Sequence, residues 1–199
     1  MAWTVNIALA SGVPLPHSFY ARPARVVARA LLGKVLVHAG RAGRIVETEA
    51  YVGAHDLACH AARGKTARTG ILWGPPGRAY VYFIYGMHWC FNAVTEREGR
   101  PGAVLVRGLE PLAGFDGPVR LDGPARLCRA LDISGTQNGL DLTSSALRIL
   151  DAPAVRGRDV ERGPRIGVDY AGKWALAPLR YWVRGSPGVS RGRRSVAVP

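Results

Sequence analysis

The chain has 199 residues, 48% of them apolar, and carries 27 Lys plus Arg against 14 Asp plus Glu, a formal charge of +13. This length fits one domain with a sizeable core, and no uncharged apolar run of about 18 residues offers a membrane span. Cys59, Cys90 and Cys128 are too few and too scattered for a disulfide framework or a Cys-based zinc site, which suits a reducing compartment.

Lys34, Lys65 and Lys173 are the only lysines, so the positive charge is almost all arginine. The guanidinium fork matches phosphate, and a polyanionic partner follows; an arginine-rich genome is the other source of such a bias. Nucleic acid fits better than a membrane, because no basic amphipathic helix with aromatic anchors is present. Met1–Ala10 lacks the basic start of a signal peptide, so the cytoplasm is the expected compartment.

In chain order, residues 1–19 contain Gly12, Pro14 and Pro16 and are expected to form a loose arm, flexible over 1–16. The spacing predicts a helix over Pro23–Leu32, with Val26, Val27, Ala30 and Leu31 as its apolar face and Gly33 just past its end. Val35-Leu36-Val37 is a strand, and the turn at Gly40–Gly43 returns it as Arg44–Tyr51. Alternation puts Ile45, Glu47, Glu49 and Tyr51 on one face of that strand and Arg44, Val46, Thr48 and Ala50 on the other. Two carboxylates beside a phenol must be paired, hydrogen-bonded or shifted in pKa if covered; on an edge strand they simply meet water. The strand alone leaves both readings open.

Residues 53–60 read as a turn and short helix, and 61–70, with Arg63, Lys65 and Arg68, as a basic loop. His55 and His60 are five apart and share no helix face, so no metal site is expected. Gly74-Pro75-Pro76-Gly77 turns the chain into the aromatic run Ala79–Asn92, which Gly86 breaks into a hairpin. Phe83, Ile84 and Phe91 are assigned to the core, while a Tyr and a Met at the tip look like a wedge for stacked bases. Ala103–Arg107 is a strand with Leu105 and Arg107 on one face. A loop over Gly114–Asp122, a helix over Pro124–Leu131 and a polar loop over 134–145 follow. Short strands are expected at Leu147–Leu150, Arg165–Val168 and Leu179–Val183, ahead of a basic, flexible tail (191–199) with Arg191, Arg193 and Arg194. Many short strands and few helices, without a linker or repeat, define an α+β fold: one domain over 1–199 on a largely antiparallel sheet.

A colinear series of stretches then resembles the alkyladenine (3-methyladenine, methylpurine) DNA glycosylase family. It runs through Gly43–Tyr51, Asp56 and His60, Gly74–Met87, Cys90 and Asn92, Val106–Leu112, Gly123–Cys128 and Arg184–Pro187, spanning about residues 17–190. The resemblance implies a curved sheet with flanking helices and a protruding hairpin that enters the minor groove. It implies Glu49 as the general base, with Arg107 beside it contacting phosphate and the flipped nucleotide. Tyr51, Ala58, His60, Tyr82, Asn92 and Leu105 match the family's base pocket, with Asn92 reading the purine 2-position. Tyr85 resembles the residue that fills the gap left by the flipped base; Met87 and His88 sit beside it, and Arg63, Lys65 and Arg68 face the backbone. The chain departs from the pattern at Thr66-Ala67-Arg68-Thr69, where relatives tend to read Thr-Pro-Arg-Asn, and at Cys59 next to the pocket histidine.

The implied activity is monofunctional excision of alkylated or deaminated purines from double-stranded DNA, by a monomer needing no cofactor or metal, in the cytoplasm at the nucleoid. A carboxylate suits the oxocarbenium-like transition state of glycosidic cleavage, and flipping exposes the base at a cost of a few kcal/mol. Glu47, on the same face, is expected to be structural and paired to an arginine. A noncatalytic nucleic-acid-binding module on the same fold, and a hydrolase of free nucleosides, are the competing readings. Which lesion is preferred is left open.

Overall fold

The computed structural model describes residues 12–191. Its framework is an eight-stranded antiparallel sheet: β1 (Val35–His38), β2 (Arg41–Tyr51), β3 (Ala79–Ile84), β4 (His88–Val94), β5 (Ala103–Ala113), β6 (Arg148–Leu150), β7 (Val160–Gly163) and β8 (Arg180–Val183). The main order is β3-β4-β5-β2-β1-β6, and β8 joins β2 beyond the end of β1, with β7 on its outer side. The two 11-residue strands β2 and β5 form the spine. β2 is flanked by β5 on one edge and by β1 then β8 on the other, so its centre is covered on both sides. Three short helices flank the sheet: α1 (His17–Tyr20), α2 (Ala24–Leu31) and α3 (Pro124–Ala130). Among the described residues no helix is long and apolar enough to cross a membrane.

The core lies between the helices and one face of this curled sheet, where Val27, Leu31, Leu127 and Leu131 meet Ile45, Ala50, Val81, Phe91, Val104 and Val106. Helix α2 starts after Pro23, and its first free N–H, that of Ala24, donates to the Glu96 carboxylate at 2.8 Å; a distant acidic side chain does what a local cap usually does. Its buried face is Ala24, Val27, Ala28 and Leu31, one step round from the predicted face, and Val26 is exposed. The observed set follows the i, i+3, i+4, i+7 spacing, and its small alanines let the helix lie close on β2.

Three other expectations are corrected. Residues 13–19 are not a loose arm: Leu15 is buried, its N–H donates to Ile149 at 2.9 Å, and His17–Tyr20 is helical; residues 1–11 and 192–199, with Arg193 and Arg194, lie outside the described part. Arg165–Val168 is irregular rather than a strand, because Arg165 turns inward to an ion pair; a strand at Val160–Gly163 was missed. Phe83 is 43% exposed, tilted against Trp89 at the outer end of the hairpin rather than in the core.

Candidate active site

The strict alternation expected for β2 fails at one place. Ile45 packs in the helix-side core with Thr48 and Ala50, while Val46 and Glu47 both turn to the other side, against Gly188 and Ser190. The β2–β5 register shifts twice here, with Ile45 opposite Leu109, Glu47 opposite Gly108 and Thr48 opposite Val106, leaving Val46 and Arg107 as extra residues. Bulges of this kind re-aim side chains. The consequence is that Glu47, Glu49, Tyr51, Leu105 and Arg107 converge on the face away from the helices.

Glu47 and Glu49 are both fully buried. Glu47 is saturated: it accepts from Arg180 Nε (2.6 Å), Arg107 Nε (3.3 Å), and the Ser190 N–H and hydroxyl (2.6 and 2.9 Å). Gly108 and Gly188 make this possible, since a Cβ on either would strike the other segment's backbone. Glu49 is held more lightly. Its Oε1 meets Arg107 Nη1 at 3.3 Å and accepts the Ile166 N–H at 2.8 Å, and its Oε2 accepts the Tyr51 hydroxyl at 2.9 Å. Burial, reinforced by the Glu49 charge, raises the Tyr51 phenol well above its ordinary pKa, so it stays a donor. Burial opposes the Arg107 cation, but Glu49 and Glu47 outweigh it and raise its pKa.

In front of these groups opens a cavity of about 440 Å³, within the range of small-ligand sites. Tyr51, Ala58, His60, Tyr82, Asn92, Leu105 and Arg107 all line it, as do Tyr85, His88 and Arg63 at its rim. His60 stacks edge-on against Tyr82 at 4.5 Å, and its Nδ1 shares a hydrogen bond with the Tyr80 hydroxyl at 2.8 Å. Burial first, then Arg68 and Arg63, push the His60 pKa down to about 4, so the ring is neutral at pH 7. Asn92 donates from its amide nitrogen to Tyr80 O at 3.1 Å, fixing the remaining carboxamide edge in the wall.

The hairpin between β3 and β4 ends in a turn whose central residues, Tyr85 and Gly86, both have positive φ (55° and 66°). Tyr85 is 79% exposed and Met87 65%. A tyrosine in the left-handed region costs about 1–2 kcal/mol relative to glycine, yet it projects an aromatic ring beside the cavity mouth.

The basic loop is more ordered than its composition implies. The Thr66 and Thr69 hydroxyls each accept the other residue's backbone N–H (3.2 and 2.9 Å), and Thr69 Oγ1 also donates to Gly64 O at 2.9 Å, so Thr69 closes the loop. Arg68 lies over the Tyr82 ring at 5.5 Å and donates to Phe83 O at 3.1 Å, tying the loop to the hairpin. Lys65 is exposed and does not line the cavity.

Sequence reasoning missed Arg165, Ile166, Tyr170 and Tyr80. Arg165 and Asp56 form a fully buried bidentate pair (2.6 and 2.8 Å), and the guanidinium also donates to Ala50 O at 2.9 Å and sits 4.8 Å from the Tyr51 ring centre. This clamp holds the 165–168 segment against β2 and delivers the Ile166 N–H to Glu49. The only signal in the sequence was Asp56, whose partner is 109 residues away.

A buried carboxylate held by residues that line an aromatic cavity, beside a projecting hairpin on an arginine-rich domain, fits the class of DNA glycosylases, hydrolases of N-glycosyl bonds in base-excision repair. The family model for "Methylpurine-DNA glycosylase (MPG)" matches residues 18–187. A Myxococcus xanthus protein named "Putative 3-methyladenine DNA glycosylase" is 57% identical, with 89% of this chain and 94% of that protein covered. Proteins of the same name from Anaeromyxobacter dehalogenans (56%; 89% and 86% covered) and Methanocella arvoryzae (49%; 89% and 96% covered) are similarly related. The chain belongs to the methylpurine-DNA glycosylase family.

Proposed function

We propose that this protein excises damaged purines from duplex DNA as a monofunctional glycosylase, with Glu49 activating the attacking water. The observation that carries the reading is the contrast in occupancy at the two glutamates. A carboxylate offers about four lone-pair positions. Glu49 uses two in hydrogen bonds and meets Arg107 Nη1 in an ion pair at 3.3 Å, which leaves an acceptor position on Oε2, the oxygen that takes the hydroxyl of Tyr51 from the cavity wall. From there it accepts a proton from water and opposes the positive charge that develops on the sugar. Arg107 holds the carboxylate through the ion pair at Oε1.

The flipped base enters between Tyr51, His60 and Tyr82, against Ala58 and Leu105. The faces of Tyr51 and Tyr82 attract an electron-poor, often cationic alkylpurine by about 0.5–2 kcal/mol each. Asn92 reads the 2-position of the ring. Tyr85 fills the vacated stack, with Met87 and His88 in the minor groove, and Arg63, Lys65 and Arg68 along the backbone. Among the described residues no lysine lines the cavity, which favours water over a Schiff base as the nucleophile. The protein acts as a cytoplasmic, nucleoid-associated monomer on double-stranded DNA.

Single-turnover excision from duplexes bearing one hypoxanthine, one ethenoadenine or one 7-methylguanine tests this. Release of at least one base without strand cleavage is expected; strand cleavage trapped by borohydride would replace the monofunctional reading with a lyase.

A further inference from the structure

On the helix side of the sheet, between α2, the end of β2 and the 174–181 segment, lies a second cavity of about 630 Å³. It shares no lining residue with the first. Its lining includes Trp174, with the His55 ring 5.3 Å away and tilted against it, and the prolines Pro23 and Pro101. Three arginines, Arg25, Arg100 and Arg162, line it as well.

Arg44, Arg78, Arg107, Arg120, Arg126, Arg156, Arg165, Arg180 and Arg184 each meet a carboxylate. Arg25, Arg100 and Arg162 form no ion pair among the described residues. The one carboxylate in the wall, Glu96, is committed to the Ala24 N–H at 2.8 Å. The Tyr181 side chain is nine-tenths buried at this wall, and its hydroxyl makes no hydrogen bond to a described residue. Burial raises that phenol's pKa, partly offset by the positive charges of Arg25, Arg162 and Arg29.

We propose that this cavity is a nucleotide-binding site, taking phosphate among Arg25, Arg100 and Arg162 and a base against Trp174. Three guanidinium forks against the single carboxylate of Glu96 leave an excess of positive charge that suits a phosphate, and Tyr181 adds a neutral donor. An aromatic platform beside them suits a planar base of any identity. The volume accommodates a small ligand and excludes a duplex. A free mononucleotide and the phosphorylated end of a strand present the same chemistry.

Calorimetric titration of the full chain with deoxyadenosine monophosphate tests the site, repeated with inorganic phosphate and with the chain saturated by an abasic-site duplex. Saturable 1:1 binding is expected, unchanged by the duplex and at least tenfold tighter than phosphate. It should weaken at least tenfold in Arg25→Gln/Arg162→Gln and in Trp174→Ala, while the double variant keeps wild-type excision and melting temperature. Tighter binding of a 5′-phosphorylated trinucleotide than of the mononucleotide would assign the ligand to strand ends; the reverse order would assign it to free nucleotide. The proposal is overturned by no saturable binding at millimolar ligand, by displacement with the duplex, by indifference to the arginine substitutions, or by phosphate binding as tightly as the nucleotide.

Discussion

Glu47 and Glu49 stand two residues apart on one strand, equally buried, and their surroundings differ in kind. The Glu47 nest is closed: two arginines and both donors of Ser190 use up its oxygens, and a tail segment lies across it. Glu49 has three partners, and all three, Tyr51, Arg107 and Ile166, line the cavity of about 440 Å³. Burial alone therefore marks neither residue as reactive. What separates a structural carboxylate from a candidate base is whether it is held by groups that border space a substrate can enter.

That difference is sharpest in a pair of substitutions. Glu49→Gln should cut single-turnover excision by about 10²–10⁴-fold, the usual contribution of a general base, while binding to lesion duplex by fluorescence anisotropy is retained. Glu47→Gln leaves Arg180 buried without its anion. A loss of about 3–5 kcal/mol in urea unfolding is expected, with excision within tenfold of wild type at temperatures where the variant stays folded. Tyr85→Gly tests the projecting hairpin against the buried floor: relieving the positive φ should stabilise the fold by about 1 kcal/mol, while excision falls at least tenfold for loss of the wedge. If stability rises and excision is untouched, the hairpin ring is not part of the reaction.

The smallest expected effect is on pH. The folded His60 pKa of about 4 lies below its ordinary 6.5, so protonation favours the unfolded chain. The stability that the neutral ring contributes is full above about 6.5 and is lost as pH falls from there toward about 4. Melting temperature in that window should fall less steeply for His60→Gln than for wild type, and the two curves should run parallel above pH 7.

Much of this was legible in the sequence because it is local. Period-two alternation and turn residues located β2, β3, β4 and β5, and the motif series named Tyr51, Ala58, His60, Tyr82, Asn92, Leu105 and Arg107, which line the cavity. The failures are where long-range contact overrides local pattern. The bulge that turns Val46 and Glu47 to one side depends on β5 contributing Arg107 as its own extra residue, and no window of β2 contains that fact. Arg165–Val168 carries a strand-like pattern but is pulled inward by Asp56, over a hundred residues upstream. Phe83 reads as core by composition, yet it sits on the hairpin's outer end, where only Trp89 covers it. The Thr66/Thr69 lock was invisible because its logic lies in hydroxyl geometry rather than residue class.

The most direct measurement carries Glu49→Gln and Glu47→Gln through the same two assays: single-turnover release of hypoxanthine from one duplex, and urea unfolding. The account predicts a crossed result, in which the Glu49 variant is folded, bound to DNA and inactive, and the Glu47 variant is active but markedly less stable. Comparable excision by the Glu49 variant and wild type, or equal loss of activity in both variants at matched folded fraction, would contradict it.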